Sequence, residues 1–194
     1  MTPWVSTLRA ALLSALLVPL TDATLGRALS IGRAFDPDRA RFHAPYVITL
    51  NDAAVDQVEI ITEFRRAVLF AEERIRSGDH MFGPRQAEAA LQPWRGKLTI
   101  TARLRFHPQN TYLGLPPFAI VLGDPPLAPA DTRATPLTAY SAKKQDRGSR
   151  TALLGAVIEA DFDASAVGQG RRAIIVVLEG QDAARTVVDF GKLQ

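Results

Sequence analysis

The segment Lys97 to Pro108, KLTITARLRFHP, allows a single structural reading. Leu98, Ile100, Ala102, Leu104 and Phe106 fall on one side, and Lys97, Thr99, Thr101, Arg103, Arg105 and His107 on the other. Period two with one apolar and one wet face is a half-buried strand, most naturally in an antiparallel sheet. Five further segments repeat or extend this pattern: Tyr46–Leu50, Gln57–Thr62, Phe118–Leu122, Ala152–Ala164 and the near-continuous apolar run after Arg172 (AIIVVL). Arg185–Phe190 is the seventh strand.

Two short helices interrupt the strands. Phe64 to Arg76 carries apolar residues at helical spacing and is stopped by Ser77-Gly78-Asp79. Pro84 to Leu91 follows, with proline suited to the first turn. No βαβ rhythm and no internal repeat appears. The expected fold is a mainly β antiparallel sandwich of about seven strands, with the helical hairpin inserted before its middle strand. An α+β single sheet with helices on one face is the alternative. The stretch from Gly123 to Arg150 shows no periodicity and reads as a long flexible loop, within one β-rich domain over 46–194.

Residues 1–23 hold Arg9, an apolar run from Ala10 to Leu20, and then Thr21-Asp22-Ala23 before a cleavage point. That order reads as an export signal, and the run is too short to span a bilayer, which needs about 20 residues. The competing reading is a retained hydrophobic helix using Leu12, Leu13, Leu16 and Leu17. Residues 24–45 read as an extended segment with a weak helical pattern at Leu25, Leu29 and Ile31. An exported chain belongs to the periplasm, the cell envelope or the secreted pool.

The formal charge of +3 is local, since residues 131–150 carry five bases against two acids and the rest of the chain balances. A neutral body with one basic loop lacks the stripe of bases that nucleic acid requires. The absence of cysteine removes disulfides, thiolate catalysis and cysteine metal sites. His43, His80 and His107 fit no ligand spacing, no serine lies in a nucleophile motif, and Gly168–Arg172 joins two strands rather than a strand and a helix. No cofactor is expected and no catalytic residue is nominated.

Binding residues are easier to name. Tyr112, Leu113 and Leu115 stand among prolines and glycine in the loop NTYLGLPP, and Trp94 precedes the strand that feeds it. Aromatic and aliphatic anchors on a stiff loop suit a protein contact. Lys143, Lys144, Arg147 and Arg150 offer a basic contact for an acidic partner or anionic headgroups. Glu159, Asp161 and Asp163 project from one strand face and form the one acidic cluster with the oxygen chemistry of a cation site, against a simpler reading as cross-strand partners of Arg103, Arg105, Arg171 or Arg172. Thr186 to Phe190 is a terminal strand able to pair with a neighbouring subunit, with Asp189 and Lys192 limiting uncontrolled pairing.

The functional expectation is therefore a non-catalytic exported or envelope protein that binds a protein partner or self-assembles. One alternative is a small hydrolase or isomerase with a site assembled from distant residues such as His107, Glu159 and Asp161. Another is a membrane-associated accessory subunit, in peripheral contact through the N-terminal helix or the basic loop.

Overall fold

The computed structural model describes residues 20–50, 52, 54–107, 109–123, 125–138 and 153–193. The chain runs α1 (Asp22–Gly32), α2 (Asp36–His43), β1 (Val47–Thr49), β2 (Val55–Ile61), α3 (Glu63–Arg76), α4 (Pro84–Leu91), β3 (Lys97–Arg105), β4 (Phe118–Gly123), β5 (Asp131–Thr138), β6 (Leu153–Asp163), α5 (Ala164–Val167), β7 (Arg171–Leu178) and β8 (Gln181–Asp189). Strands β1-β2-β3-β6-β5 form one antiparallel sheet and β4-β7-β8 another.

The alternation that identifies β3 fixes its place. Leu98, Ile100, Ala102 and Leu104 are buried and lie opposite Phe162, Ala160, Ile158 and Ala156 of β6. This apolar face meets Ile120, Leu122, Ile174, Val176, Ala184 and Val188 of the smaller sheet in one core. Helices α1, α3 and α4 build a second core of their own, from Leu25, Leu29, Phe64, Val68, Phe82 and Leu91 among others. Gly32 permits the closest approach there: a Cβ on it would lie 2.6 Å from both Ala71 Cβ and the Val68 carbonyl oxygen.

Two expectations are corrected. The fold is a mixed α/β domain with two separate open sheets, neither a closed β-sandwich nor a single sheet with helices on one face. The physical reason is that the helices bury an apolar core among themselves, far more than an inserted hairpin requires. Among the described residues no strand closes the edges β1 and β5 of one sheet onto β4 and β8 of the other. The strand read over 185–190 begins earlier, because a two-residue hairpin, Glu179-Gly180 with positive φ at both residues (52° and 78°), joins β7 directly to Gln181.

The export reading is corrected at its cleavage point. Thr21 is the N-cap of α1, its Oγ1 accepting from Thr24 N–H at 3.3 Å, and Asp22 and Ala23 form the first turn. Leu25, Ala28 and Leu29 of the same helix are buried, so a cut after Ala23 would uncap a helix that belongs to the folded body. Nothing among the described residues points to a periplasmic or envelope address. The apolar run before Leu20, with Leu12, Leu13, Leu16 and Leu17, lies outside the described residues. No described helix is long and apolar enough to cross a membrane.

Candidate functional site

The face of the larger sheet turned away from the shared core carries the polar side chains of β2, β3, β6 and β5. Thr99 opposes Asp161, Thr101 opposes Glu159, and Arg133 opposes Glu159 from β5. The first turn of α3, capped by Thr62 accepting from Arg65 N–H at 3.1 Å, delivers Arg65 and Arg66 to this face. A short 3-10 turn, Gln92–Trp94, sets the indole beside them.

Arg66 stacks on Trp94, its guanidinium carbon 3.7 Å from the ring centroid, and its Nη2 donates to Thr99 Oγ1 at 2.6 Å. Thr99 Oγ1 in turn donates to Asp161 Oδ1 at 2.7 Å. Arg133 Nη1 donates to Asp161 Oδ2 at 3.0 Å and Nη2 to Glu159 Oε2 at 3.3 Å, while its guanidinium and the Lys97 ammonium also face Trp94 at 5.4 and 5.6 Å. Burial lowers the Arg66 pKa against the opposing pull of Asp161 and Glu159. For Asp161 burial works upward, but hydrogen bonds from Arg133 and Thr99 and the charges of Arg133 and Lys97 outweigh it and hold the carboxyl below its ordinary range. Thr101 Oγ1 is buried with no hydrogen-bond partner among the described residues.

The acidic trio is thereby divided. Asp161 and Glu159 hold Arg133, whereas Asp163 turns to cap α5, accepting from Ser165 N–H at 2.8 Å and Ser165 Oγ at 2.7 Å. Those bonds lower the Asp163 pKa. No group of three or more His, Asp or Glu side chains among the described residues could hold a metal ion. A neighbouring open cavity of about 530 Å³, lined by Arg95, Lys97, Asp131, Asp161 and Asp163, has mixed charge on its walls.

A second ionic chain lies deeper. Arg65 is only 2 % exposed; it donates through Nη1 to the Ile60 carbonyl at 2.6 Å, through Nη2 to Glu59 Oε1, and through Nε to His43 Nδ1 at 3.2 Å. Since Nδ1 accepts, His43 Nε2 is left to donate to Glu72 Oε1, 2.6 Å away. Arg65 also covers the Tyr46 ring at 5.0 Å.

The opposite end of β3 offers different chemistry. Asn110 staples the following loop, its Nδ2 donating to the carbonyls of His107 and Leu153 at 2.7 and 2.8 Å and its Oδ1 accepting from Tyr112 N–H at 3.1 Å. Tyr112 sets its ring against Phe106 (5.1 Å, edge-on) and donates from its hydroxyl to Glu179 Oε2 at 3.2 Å. Burial, then the Glu179 charge, raises the Tyr112 pKa. Tyr112, Leu113 and Leu115 converge with Pro136, Thr138 and Leu153 on an open groove of about 450 Å³. Leu113 at its lip is 82 % exposed.

Of the residues nominated from sequence, Tyr112, Leu113 and Leu115 are thus brought together. Trp94 is not among them; the nine residues of β3, about 30 Å of strand, separate it from that loop. Lys143, Lys144, Arg147 and Arg150 lie outside the described residues. His107, Glu159 and Asp161 share no point: His107 follows the end of β3 where Arg105 opposes Gly155, while Asp161 opposes Thr99 near the strand's start. Sequence reasoning passed over Arg65, Arg66, Arg133 and Thr99. Threonine on a polar strand face was the one visible signal, and the arginines had none because their partners are remote in the chain. Searches against protein families, curated proteins and solved structures find no match for this chain.

Proposed function

We propose that this chain is a non-catalytic protein-binding subunit that receives an extended apolar segment of a partner protein in the Leu113–Leu115 groove. One observation carries the reading: a large apolar side chain, Leu113, stands exposed on a stapled loop beside an open apolar groove. Its volume falls within the range of about 300–1,000 Å³ typical of binding pockets. An extended segment fits better than a compact small molecule because one wall, Pro136 and Thr138, belongs to β5, which is an edge strand among the described residues and so offers a template for strand addition except at Pro136, which has no N–H. The polar cluster supports the non-catalytic part, since Asp161 and Glu159 are each committed to Arg133.

The test is a photo-cross-linking side chain placed at Leu113 in the full-length protein. A saturable adduct with one protein, abolished by Leu115→Asp with the fold intact by circular dichroism, is the expected result. Absence of any adduct, or adducts unaffected by Leu115→Asp, would overturn the reading.

A further inference from the structure

We propose that the free edge of β8 is a self-association surface, on which a second copy of this chain pairs antiparallel about a two-fold axis through Val187. The two three-stranded sheets would then join into one sheet of six strands.

Strand β8 hydrogen-bonds to β7 on one side and, among the described residues, has no strand on the other. A long edge strand exposes a row of backbone donors and acceptors that template further pairing. On its outward face one apolar side chain, Val187, stands between two of opposite charge, Arg185 and Asp189. Val187 is 54 % exposed and lies opposite Ala173, on the same face as Ile175 and Val177 of β7 and Ala119 and Val121 of β4. A Cβ on Gly123, opposite Ala173, would touch both Ala173 Cβ and Ile175 Cδ1 at 3.4 Å, so this face is continuous. The AIIVVL run of β7 is as apolar as a strand covered on both faces, yet Ile175 and Val177 are only half-buried.

The sequence of β8 specifies which partner fits. In antiparallel pairing about Val187, residues equidistant from it oppose one another: Val187 meets Val187, Thr186 meets Val188, and Arg185 meets Asp189 of the second copy. Two cross-strand ion pairs therefore flank an apolar pair at the axis, the arrangement that favours one register over its neighbours. Centring the axis on Arg185 would instead set arginine against arginine. Arg185 has no ion pair among the described residues; Asp189 lies opposite Arg171 in register, accepts from Gly191 N–H through Oδ1 at 3.2 Å, and its Oδ2 meets Lys192 only at 3.8 Å. An isologous contact of this kind closes on itself and leads to a dimer rather than a filament.

The chain has no cysteine, so Val187→Cys introduces a single thiol. On the axis its Cβ would lie about 4.5–5.5 Å from its copy, close enough for a disulfide after small adjustment. Mild oxidation is expected to link Val187→Cys into dimers and to leave Arg185→Cys unlinked, because two copies of position 185 are offset by four residues, about 13 Å. Sedimentation of the unmodified protein over a concentration series should show reversible dimers. Val187→Lys should raise the dimer dissociation constant about tenfold or more, with an unchanged circular dichroism spectrum because the side chain is exposed. Arg185→Glu should weaken the dimer and Arg185→Glu combined with Asp189→Lys should restore it. A wild-type protein that stays monomeric throughout, or equal cross-linking at positions 185 and 187, would overturn the proposal. Leu115→Asp in the groove should leave the dimer unchanged, so this result stands apart from the partner-binding one.

Discussion

Thr99 and Asp161 face each other across β3 and β6, and the threonine hydroxyl donates to the carboxylate at 2.7 Å where both residues are about 1 % exposed. The same hydroxyl accepts from Arg66, so one buried oxygen couples the helical layer to the sheet. Thr99→Val removes both bonds without changing side-chain volume much and should cost about 1–2 kcal/mol. Asp161→Ala leaves Thr99 and Arg133 without their shared acceptor and should cost about 2–3 kcal/mol, below the range for a fully buried pair because Arg133 is 40 % exposed. The double variant should lose less than the sum, since the two residues share a bond. Urea unfolding of the four proteins measures this directly.

Asp161 also sets a pH dependence. Its carboxyl titrates lower in the folded protein than in the unfolded chain, so the unfolded state binds the proton more readily. The stabilisation is therefore complete above the unfolded carboxylate value of about 3.9 and is lost as pH falls through the lower folded value. Urea midpoints taken through the acid range should fall more steeply for the natural protein than for Asp161→Asn. Parallel slopes for the two would show that Asp161 does not drive the acid transition.

The division between what was legible and what was hidden follows from burial. Strands β3, β6 and β7 showed themselves because each buries a face, and burial writes alternation or an apolar run into the sequence. Strand β5 did not, because DTRATPLT has no buried residue and contains a proline, which left it looking like loop. Helix α2 was missed for a related reason: DPDRARFH has no fully buried residue and no apolar stripe, only Phe42 reaching the cores and His43 the Arg65–Glu72 chain, with Pro37 in the first turn and local acid–base pairs supporting the rest. Strand neighbours were legible only in part: β7 and β8 pair as successive antiparallel strands, but β6 lies in the other sheet. Glu159 was assigned to the arginines of β3 or β7, but β5 lies alongside β6 and supplies Arg133. At the groove, Tyr112, Leu113 and Leu115 stood out because rigid prolines surround them, while their neighbours Pro136 and Leu153 come from strands whose pairing only the fold defines.

Arg65 should be among the most sensitive positions in the chain. Arg65→Met keeps the apolar stem but strands the Ile60 carbonyl, Glu59 and His43 Nδ1, and should cost about 3–5 kcal/mol. Arg65→Lys should recover little, because an ammonium lacks the planar fork that reaches three acceptors while covering Tyr46. Thermal melts of both variants, compared with Arg66→Lys, check the assignment. Near-wild-type stability for Arg65→Lys would show that charge alone, not the fork, matters there.

Two glycines in α1 should respond in opposite directions to the same substitution. Gly26 is exposed, and a Cβ there meets nothing within 4 Å. Gly26→Ala then removes the entropic disadvantage of glycine inside a helix and should stabilise by about 0.5–1 kcal/mol. Gly32 ends the helix where it crosses α3, and its Cβ would lie 2.6 Å from Ala71 Cβ and from the Val68 carbonyl, neither of which can swing aside like the end of a long side chain. Gly32→Ala must therefore separate α1 from α3 and should cost about 1–3 kcal/mol through overpacking. Because the two positions share a helix, a difference in helix propensity alone predicts equal gains. Opposite signs in denaturant midpoints would show that α1 is packed onto α3 as described, and equal gains would mean that it is not.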